Sequence, residues 1–280
     1  MLDNNSLHEK VKTLLYSLTG ITLAENKDIM ISNRLHKLKR DTKYSGDIEH
    51  LLDAIKDGSY TMEFINSFTT NKTHFFREDF HFTDLKDRVL PLFANSGNDI
   101  KMFCSASSTG EEPYSMAMTV LEAQEELNKR ISASILATDI DTNVLQFAAN
   151  GVYRYSKSSK EFPDWIKPQK YFKKRVKKTL ASEEILIKVK PELQKMVTYQ
   201  VNNLNDSSYP FEKNYFDVIF CRNVLIYFSS TDQNKILKKL FSHLKMDGTL
   251  YLGHSENPHD LINYVQRAGQ NIFIKKKELS

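Results

Sequence analysis

Through the early part of the chain apolar residues recur at three- and four-residue spacing: Leu7, Val11, Leu14, Leu15 and Leu18, then Ile31, Leu35 and Leu38, then Ile48, Leu51, Leu52 and Ile55. That period lays an apolar stripe along one face of a helix, so an all-helical domain is predicted over residues 1–85. From Ile100 onward the pattern changes. Short apolar runs at Ile100–Cys104, Ile131–Ala137, Phe216–Phe220 and Thr249–Leu252 alternate with helical segments around Tyr114, Val144 and Ile236. Such alternation predicts an α/β fold, a doubly wound and mostly parallel sheet, over residues 86–280. The closing run Gln270–Ile274 reads as a last strand able to pair antiparallel with its neighbour.

Between Gly151 and Tyr199 the alternation fails, because the distance from the Val144 helix to the next strand, near Met196–Val201, is too long for an ordinary loop. The β-branched run Glu184–Val189 points to a small inserted β-rich subdomain, about 152–195. It is also where charge collects. The net charge of +4 is small for 280 residues, yet Tyr153–Lys190 holds twelve Lys or Arg against four Asp or Glu. A second basic run, Arg34–Lys43, holds five cations and one acid. Either run can be simply a solvated face.

With 40% hydrophobic residues the chain can bury one sizeable core and a smaller satellite. No run approaches the roughly 18 apolar residues of a membrane helix. The start, Met1-Leu2-Asp3-Asn4-Asn5, lacks the basic and apolar regions of a signal peptide, so a cytoplasmic protein is expected. Cys104 and Cys221, each at the end of a predicted buried strand, fit small core residues better than a disulfide or a metal site, and no metal is expected.

Candidate chemistry gathers at predicted strand ends. The strand Phe216–Phe220 runs into Cys221, Arg222, Asn223 and, a turn later, Tyr227, where open α/β sheets place their ligands. After the first strand, Ser105–Gly110 carries a single glycine, which argues against a pyrophosphate cradle. Thr109 with Glu112, or Ser108 with Glu111, could form a capping box; equally, a carboxylate there could face a ligand's amino group or hydroxyls. Asp139 ends the second strand, where nucleotide-binding sheets grip ribose hydroxyls, and Asp141 reads as a helix N-cap. Arg77 follows Phe75 and Phe76, and a guanidinium there could hold a carboxylate in a planar two-bonded contact, or simply point to water. Asn71 and Thr73 are ordinary capping polars by local pattern. His254-Ser255-Glu256 has the composition of a catalytic triad but not its geometry, and is read as closing a loop.

Taken in order, Thr69-Thr70-Asn71, Phe75-Phe76-Arg77-Glu78, Ser108–Ser115, Thr138–Asp141, Gly151-Val152-Tyr153, Cys221–Phe228 and Gly253–Glu256 closely resemble the CheR family, the chemotaxis receptor glutamate O-methyltransferases. One departure is Ser105-Ala106-Ser107, where many members carry a glycine. The resemblance implies a Rossmann-like class I methyltransferase sheet and S-adenosylmethionine as cofactor. It implies cofactor contacts from Asn71, Thr73, Arg77, Glu112, Asp139, Asn203, Leu204, Arg222 and Asn223, with Arg77 and Tyr227 at the methyl-transfer end. It also implies methylation of glutamate γ-carboxylates on chemoreceptor cytoplasmic helices, giving methyl esters and S-adenosylhomocysteine.

Esterification removes a negative charge, which could change packing in a helical signalling bundle. Arg34, Lys37 and Arg40, at three-residue spacing opposite Ile31, Leu35 and Leu38, could then meet an acidic receptor helix. In some family members the β-subdomain docks a receptor tail peptide. The expected protein is a monomer that neither inserts in membranes nor binds nucleic acid. The alternatives are a methyltransferase of the same fold acting on nucleic acid, and a non-catalytic cofactor sensor. A base-flipping enzyme should show an aromatic platform that is not apparent here, and a sensor would have lost a catalytic group, whereas Arg77 and Tyr227 are both present.

Overall fold

The computed structural model describes residues 4–156, 161–178 and 183–279; Met1–Asp3 and, within the predicted insertion, positions 157–160 and 179–182 lie outside the described residues. The amino-terminal part is helical, as its periodicity requires: α1 (Asn4–Thr19), α2 (Asp28–Asp41), α3 (Ile48–Lys56) and α4 (Thr61–Phe68). The predicted stripes become one apolar cluster, in which Val11, Leu15, Ile31, Leu35, Leu51 and Phe64 are fully buried. The cluster ends at Phe68, and the next buried aromatics, Phe75, Phe76 and Phe82, already pack into the core beneath the sheet. On packing, then, the division between the two bodies falls in the extended segment between Phe68 and Phe75, ahead of residue 85. The short helix α5 (Phe80–Asp84) belongs to the second body.

That body alternates as the sequence predicts: β1 (Asp99–Cys104), α6 (Glu111–Leu127), β2 (Ser132–Asp139) and α7 (Thr142–Asn150) come first. The insertion follows as β3 (Val152–Tyr155), α8 (Pro168–Tyr171), β4 (Phe172–Lys178), β5 (Glu183–Val189) and α9 (Pro191–Gln194). Then come β6 (Val197–Val201), β7 (Phe216–Cys221), α10 (Ser230–His243), β8 (Leu244–Leu252), β9 (Val265–Gly269) and β10 (Ile272–Lys275). The main sheet has seven strands in the order β6-β2-β1-β7-β8-β10-β9, parallel from β6 to β8, with β10 antiparallel to both β8 and β9. The insertion is a three-stranded antiparallel sheet, β3-β5-β4.

The order of strand addition reverses at β1, whose neighbours are β2 on one side and β7 on the other; at this switch point the crevice beyond the strand ends opens. The helical body is bolted across that crevice. Tyr16 Oη donates to Asp232 Oδ2 at 2.9 Å, Asn203 Nδ2 to the Leu18 carbonyl at 2.8 Å, and the Thr22 amide to the Tyr227 carbonyl at 2.9 Å. Gly20 turns the chain between these contacts with φ +75°, and a Cβ there would come within 2.7 Å of Asn205. Among the described residues no helix is long and apolar enough to cross a membrane.

Candidate active site

A cavity of about 570 Å³ lies at the carboxyl ends of β1, β2 and β7, roofed by the segment from Thr19 to Lys27 and by α2. Its size is that of a small-molecule site. All nine residues expected at the cofactor, Asn71, Thr73, Arg77, Glu112, Asp139, Asn203, Leu204, Arg222 and Asn223, line it, as does Tyr227. Arg34 lines it too, which docking residues on an outer helix face would not do.

The β1 exit differs from its local pattern. Neither capping box forms: the N-cap of α6 is Gly110, at φ +95°, and no side chain caps the helix. A Cβ at 110 would meet Ala148 Cβ at 2.6 Å and Tyr153 Oη at 2.9 Å, so the turn excludes any other residue. The two glutamates are thereby released from the helix end. Glu111 accepts from Thr109 Oγ1 at 2.6 Å, while Glu112 points inward. Glu112 Oε2 accepts from Arg222 Nη1 at 2.7 Å, and its Oε1 accepts from the Cys104 thiol at 3.1 Å. Burial pushes the Glu112 carboxyl above its ordinary value, with Arg222 pulling the other way. Both cysteines are free and buried, and burial keeps their thiols protonated.

Asp139 accepts the Ser108 amide at 2.8 Å and the Asp141 amide at 3.0 Å. Burial raises its pKa to about 6. Asp141 is the N-cap of α7, accepting from the Asn143 and Val144 amides, and its other oxygen takes Thr69 Oγ1 at 2.6 Å and Asn71 Nδ2 at 2.8 Å. With Ser108 Oγ donating to the Asn71 carbonyl at 3.0 Å, the interdomain segment hangs on the β1 and β2 exits as a wall of the cavity.

At the β7 exit the Arg222 side chain is wholly buried and its two terminal nitrogens are taken up by protein partners: Glu112, Glu78 Oε2 at 3.2 Å and the Arg77 carbonyl. It also lies over the rings of Phe82 and Phe220. Its role in the structure is to hold Glu112, not to reach freely into the cavity. Asn223 Nδ2 donates to Glu78 Oε1 at 3.1 Å. Arg77 Nη1 donates to the Lys72 carbonyl at 3.1 Å and the guanidinium faces the cavity.

Sequence pattern gave Glu78 and Asn202 no role of their own, and Glu256 only that of closing a loop. Glu78, with only 11% of its side chain exposed, also accepts from the His254 amide and from His254 Nδ1 at 2.9 Å. Burial alone would raise its pKa, but Arg222, His254 and Asn223 bring it down to about 2. Glu256 accepts the amides of Gly253, Asn223, Val224 and Leu225, tying the β7 and β8 exits together, so the expected loop closure at residues 254–256 is made by its carboxylate. Asn202, one residue before the expected pair, has its side-chain nitrogen buried with no hydrogen-bond partner in the cavity wall. Asn203 instead serves the α1 terminus.

Four non-glycine residues at these loops have left-handed backbone: Phe76, Glu78, Ser108 and Asn223, with φ of 52°, 55°, 47° and 57°. Such conformations persist when surrounding contacts over-determine them.

The residues fit S-adenosylmethionine. The orphaned Asn202 donor suits a ring-nitrogen acceptor, Asp139 suits ribose hydroxyls, Glu112 suits an ammonium and Arg77 a carboxylate. Similarity to known proteins points the same way. Residues 71–274 match the family model described as CheR methyltransferase, SAM binding domain. The chemotaxis protein methyltransferase of Escherichia coli (strain K12) is 36% identical over 272 residues, covering 96% of this chain and 90% of the relative. Its counterpart in Borreliella burgdorferi is 35% identical over 250 residues, covering 87% and 85%. Chemotaxis protein methyltransferase 1 of Vibrio cholerae is 35% identical over 268 residues, covering 94% of each chain. From the strand-end geometry and this breadth of similarity, the chain belongs to the CheR methyltransferase family, enzymes that use S-adenosylmethionine.

Proposed function

We propose that this enzyme methylates γ-carboxylates of glutamates on chemoreceptor cytoplasmic helices, working as a cytosolic monomer. The observation that carries this reading is the charge layout of one cavity, with Glu112 and Asp139 at the strand ends and the guanidiniums of Arg77 and Arg34 toward the other lining. When bound, S-adenosylmethionine supplies a methyl carbon already activated by its sulfonium. What remains for the protein is to position an attacking carboxylate, since glutamate with a pKa of roughly 4.3 is ionised at neutral pH and needs no general base. Arg77 orients a carboxylate by planar contact, and Tyr227 offers a hydroxyl at the same end of the site. The roof from Thr19 to Lys27 limits water, and attack that cancels an anion against a cation gains from a drier site.

On the roof, Arg34 donates to the Thr69 carbonyl at 3.2 Å and stacks over Phe68, while Lys37 and Arg40 stay exposed on α2. In this reading Lys37 and Arg40 attract an acidic receptor helix and Arg34 meets it at the cavity mouth. A receptor tail peptide would add to β4, the edge strand of the small sheet, beside exposed Lys173, Lys174 and Arg175. The deciding experiment is transfer of labelled methyl to a chemoreceptor cytoplasmic fragment, read as alkali-released methanol. Alkali-labile label supports the reading; label on nucleic acid with none on the receptor fragment overturns it.

A further inference from the structure

We propose that Glu78 is a positioning residue that keeps Arg222 from closing a two-bonded pair with Glu112, leaving Glu112 anionic toward the amino group of the bound cofactor. The inference rests on Glu112 facing that amino group.

Arg222 sits between two carboxylates, Glu112 on Nη1 at 2.7 Å and Glu78 on Nη2 at 3.2 Å. Its side chain is fully buried, and each acid is 11% exposed. Two anions around one cation leave a net charge of −1 in a site of low dielectric, where it acts strongly on a nearby ammonium. The other groups against the cluster do not cancel it. His81 Nδ1 is 3.6 Å from Glu78, but burial and Arg222 push its pKa down to about 4, so the ring is neutral at pH 7. The Cys104 thiol stays protonated and donates to Glu112 Oε1. His254 is 61% exposed, so water screens whatever charge it carries.

Geometry and charge act together. Guanidinium and carboxylate prefer two parallel bonds, and Arg222 makes only one to Glu112 because Nη2 is held by Glu78 and the Arg77 carbonyl. With an uncharged side chain at 78 Nη2 is held only by the Arg77 carbonyl and a neutral amide oxygen, so the guanidinium charge is balanced by Glu112 alone and is drawn toward a second bond with it. The Arg222–Glu112 pair would then be net neutral. Backbone position supports the assignment: Glu78 holds φ 55° with its carboxylate fixed by contacts from the β7 and β8 exits.

The test is calorimetric binding of two ligands to Glu78→Gln, Glu112→Gln and the unaltered protein at neutral pH. S-adenosylhomocysteine carries the amino-acid arm; 5′-methylthioadenosine lacks it and reports whether the nucleoside end of the site is intact. Glu78→Gln is expected to weaken S-adenosylhomocysteine roughly tenfold or more while leaving 5′-methylthioadenosine within about twofold, and Glu112→Gln to do the same. Glu78→Asp, which retains the charge, should lose much less and covers the case in which the glutamine variant folds poorly. An equal fall for both ligands in Glu78→Gln and Glu78→Asp would make the residue merely structural and overturn the proposal. Unchanged S-adenosylhomocysteine binding in Glu78→Gln with a loss in Glu112→Gln overturns the proposal alone, whereas no loss in either variant overturns the reading of Glu112 as well.

Discussion

The strand-end wall of the cavity and its helical roof hold their charges in different ways. At the strand ends, and at Glu78 just ahead of α5, Glu78, Glu112, Asp139, Arg222 and Glu256 are largely buried, and each is fixed by two to four named hydrogen bonds. On α2 the cations Lys37 and Arg40 stand in water, and Arg40 Nε lies 3.4 Å from its neighbour Asp41. Arg34 is the exception, turned inward onto the Thr69 carbonyl. Buried, over-bonded groups keep one geometry and suit a ligand of fixed shape; exposed cations attract from a distance with little demand on geometry. On the proposed reading, one wall suits the cofactor and the other a partner that arrives and leaves.

The comparison can be broken most decisively at Arg77. Arg77→Ala should lower methyl transfer to the receptor fragment by at least about a hundredfold through lost orientation. Near-normal transfer would remove it from the chemistry. Asp139→Asn should weaken S-adenosylhomocysteine on the order of tenfold by calorimetry, with little change in melting. The same residue predicts a pH dependence. Its folded pKa is raised to about 6, so the ribose-accepting carboxylate forms only as pH rises through about 6, and affinity should fall between pH 7 and pH 5. The sign for stability is opposite. A carboxyl with a raised folded pKa contributes stability that is full below its ordinary value of 3.8 and is lost as pH rises through about 6, so weakened binding at pH 5 would not reflect unfolding at this group. An affinity that stays flat across that window contradicts the assignment.

Smaller effects sharpen the other side. Lys37→Glu with Arg40→Glu, leaving Arg34 in place, should raise the KM for receptor several-fold at low salt, and the difference should shrink as salt is added. A KM unmoved by either change would rule out this face of α2 as the docking surface. Least of all, Tyr227→Phe should lower kcat by only a few-fold if its hydroxyl assists orientation and the ring shapes the methyl pocket. A loss as large as that of Arg77→Ala would give the hydroxyl a larger role than orientation.

What could be read in the sequence was whatever a local period encodes. Toward their carboxyl ends β1, β2 and β7 are largely buried on both faces, so those stretches appear as short apolar runs, and α1 to α3 carry unbroken stripes. The edge strand β9, Val-Gln-Arg-Ala-Gly, was not legible because it is largely exposed and carries no apolar pattern. The first half of β8 escaped for the same reason, with Lys245, Met246 and Asp247 facing water or partly so. At the site, Asp141 was legible as a cap because its partners are two and three residues away. Glu78 was not, because its partners are 144 to 176 residues distant. Asn202 and Asn203 show the sharpest limit. In extended chain neighbouring side chains face opposite ways, so although both line the cavity a one-residue difference decides which amide keeps an unpartnered donor there and which gives its donor to α1.

The left-handed backbone at Ser108 and Asn223 bears on how this family can change over time. Each such residue costs roughly 1–2 kcal/mol that glycine would avoid. Ser108 Oγ holds the Asn71 carbonyl, and Asn223 Nδ2 holds Glu78. A lineage selected for heat resistance alone would therefore drift toward glycine at positions 108 and 223, gaining melting temperature while loosening the cofactor wall. A side chain at these two turns thus gives up some backbone stability to hold the cofactor wall in place.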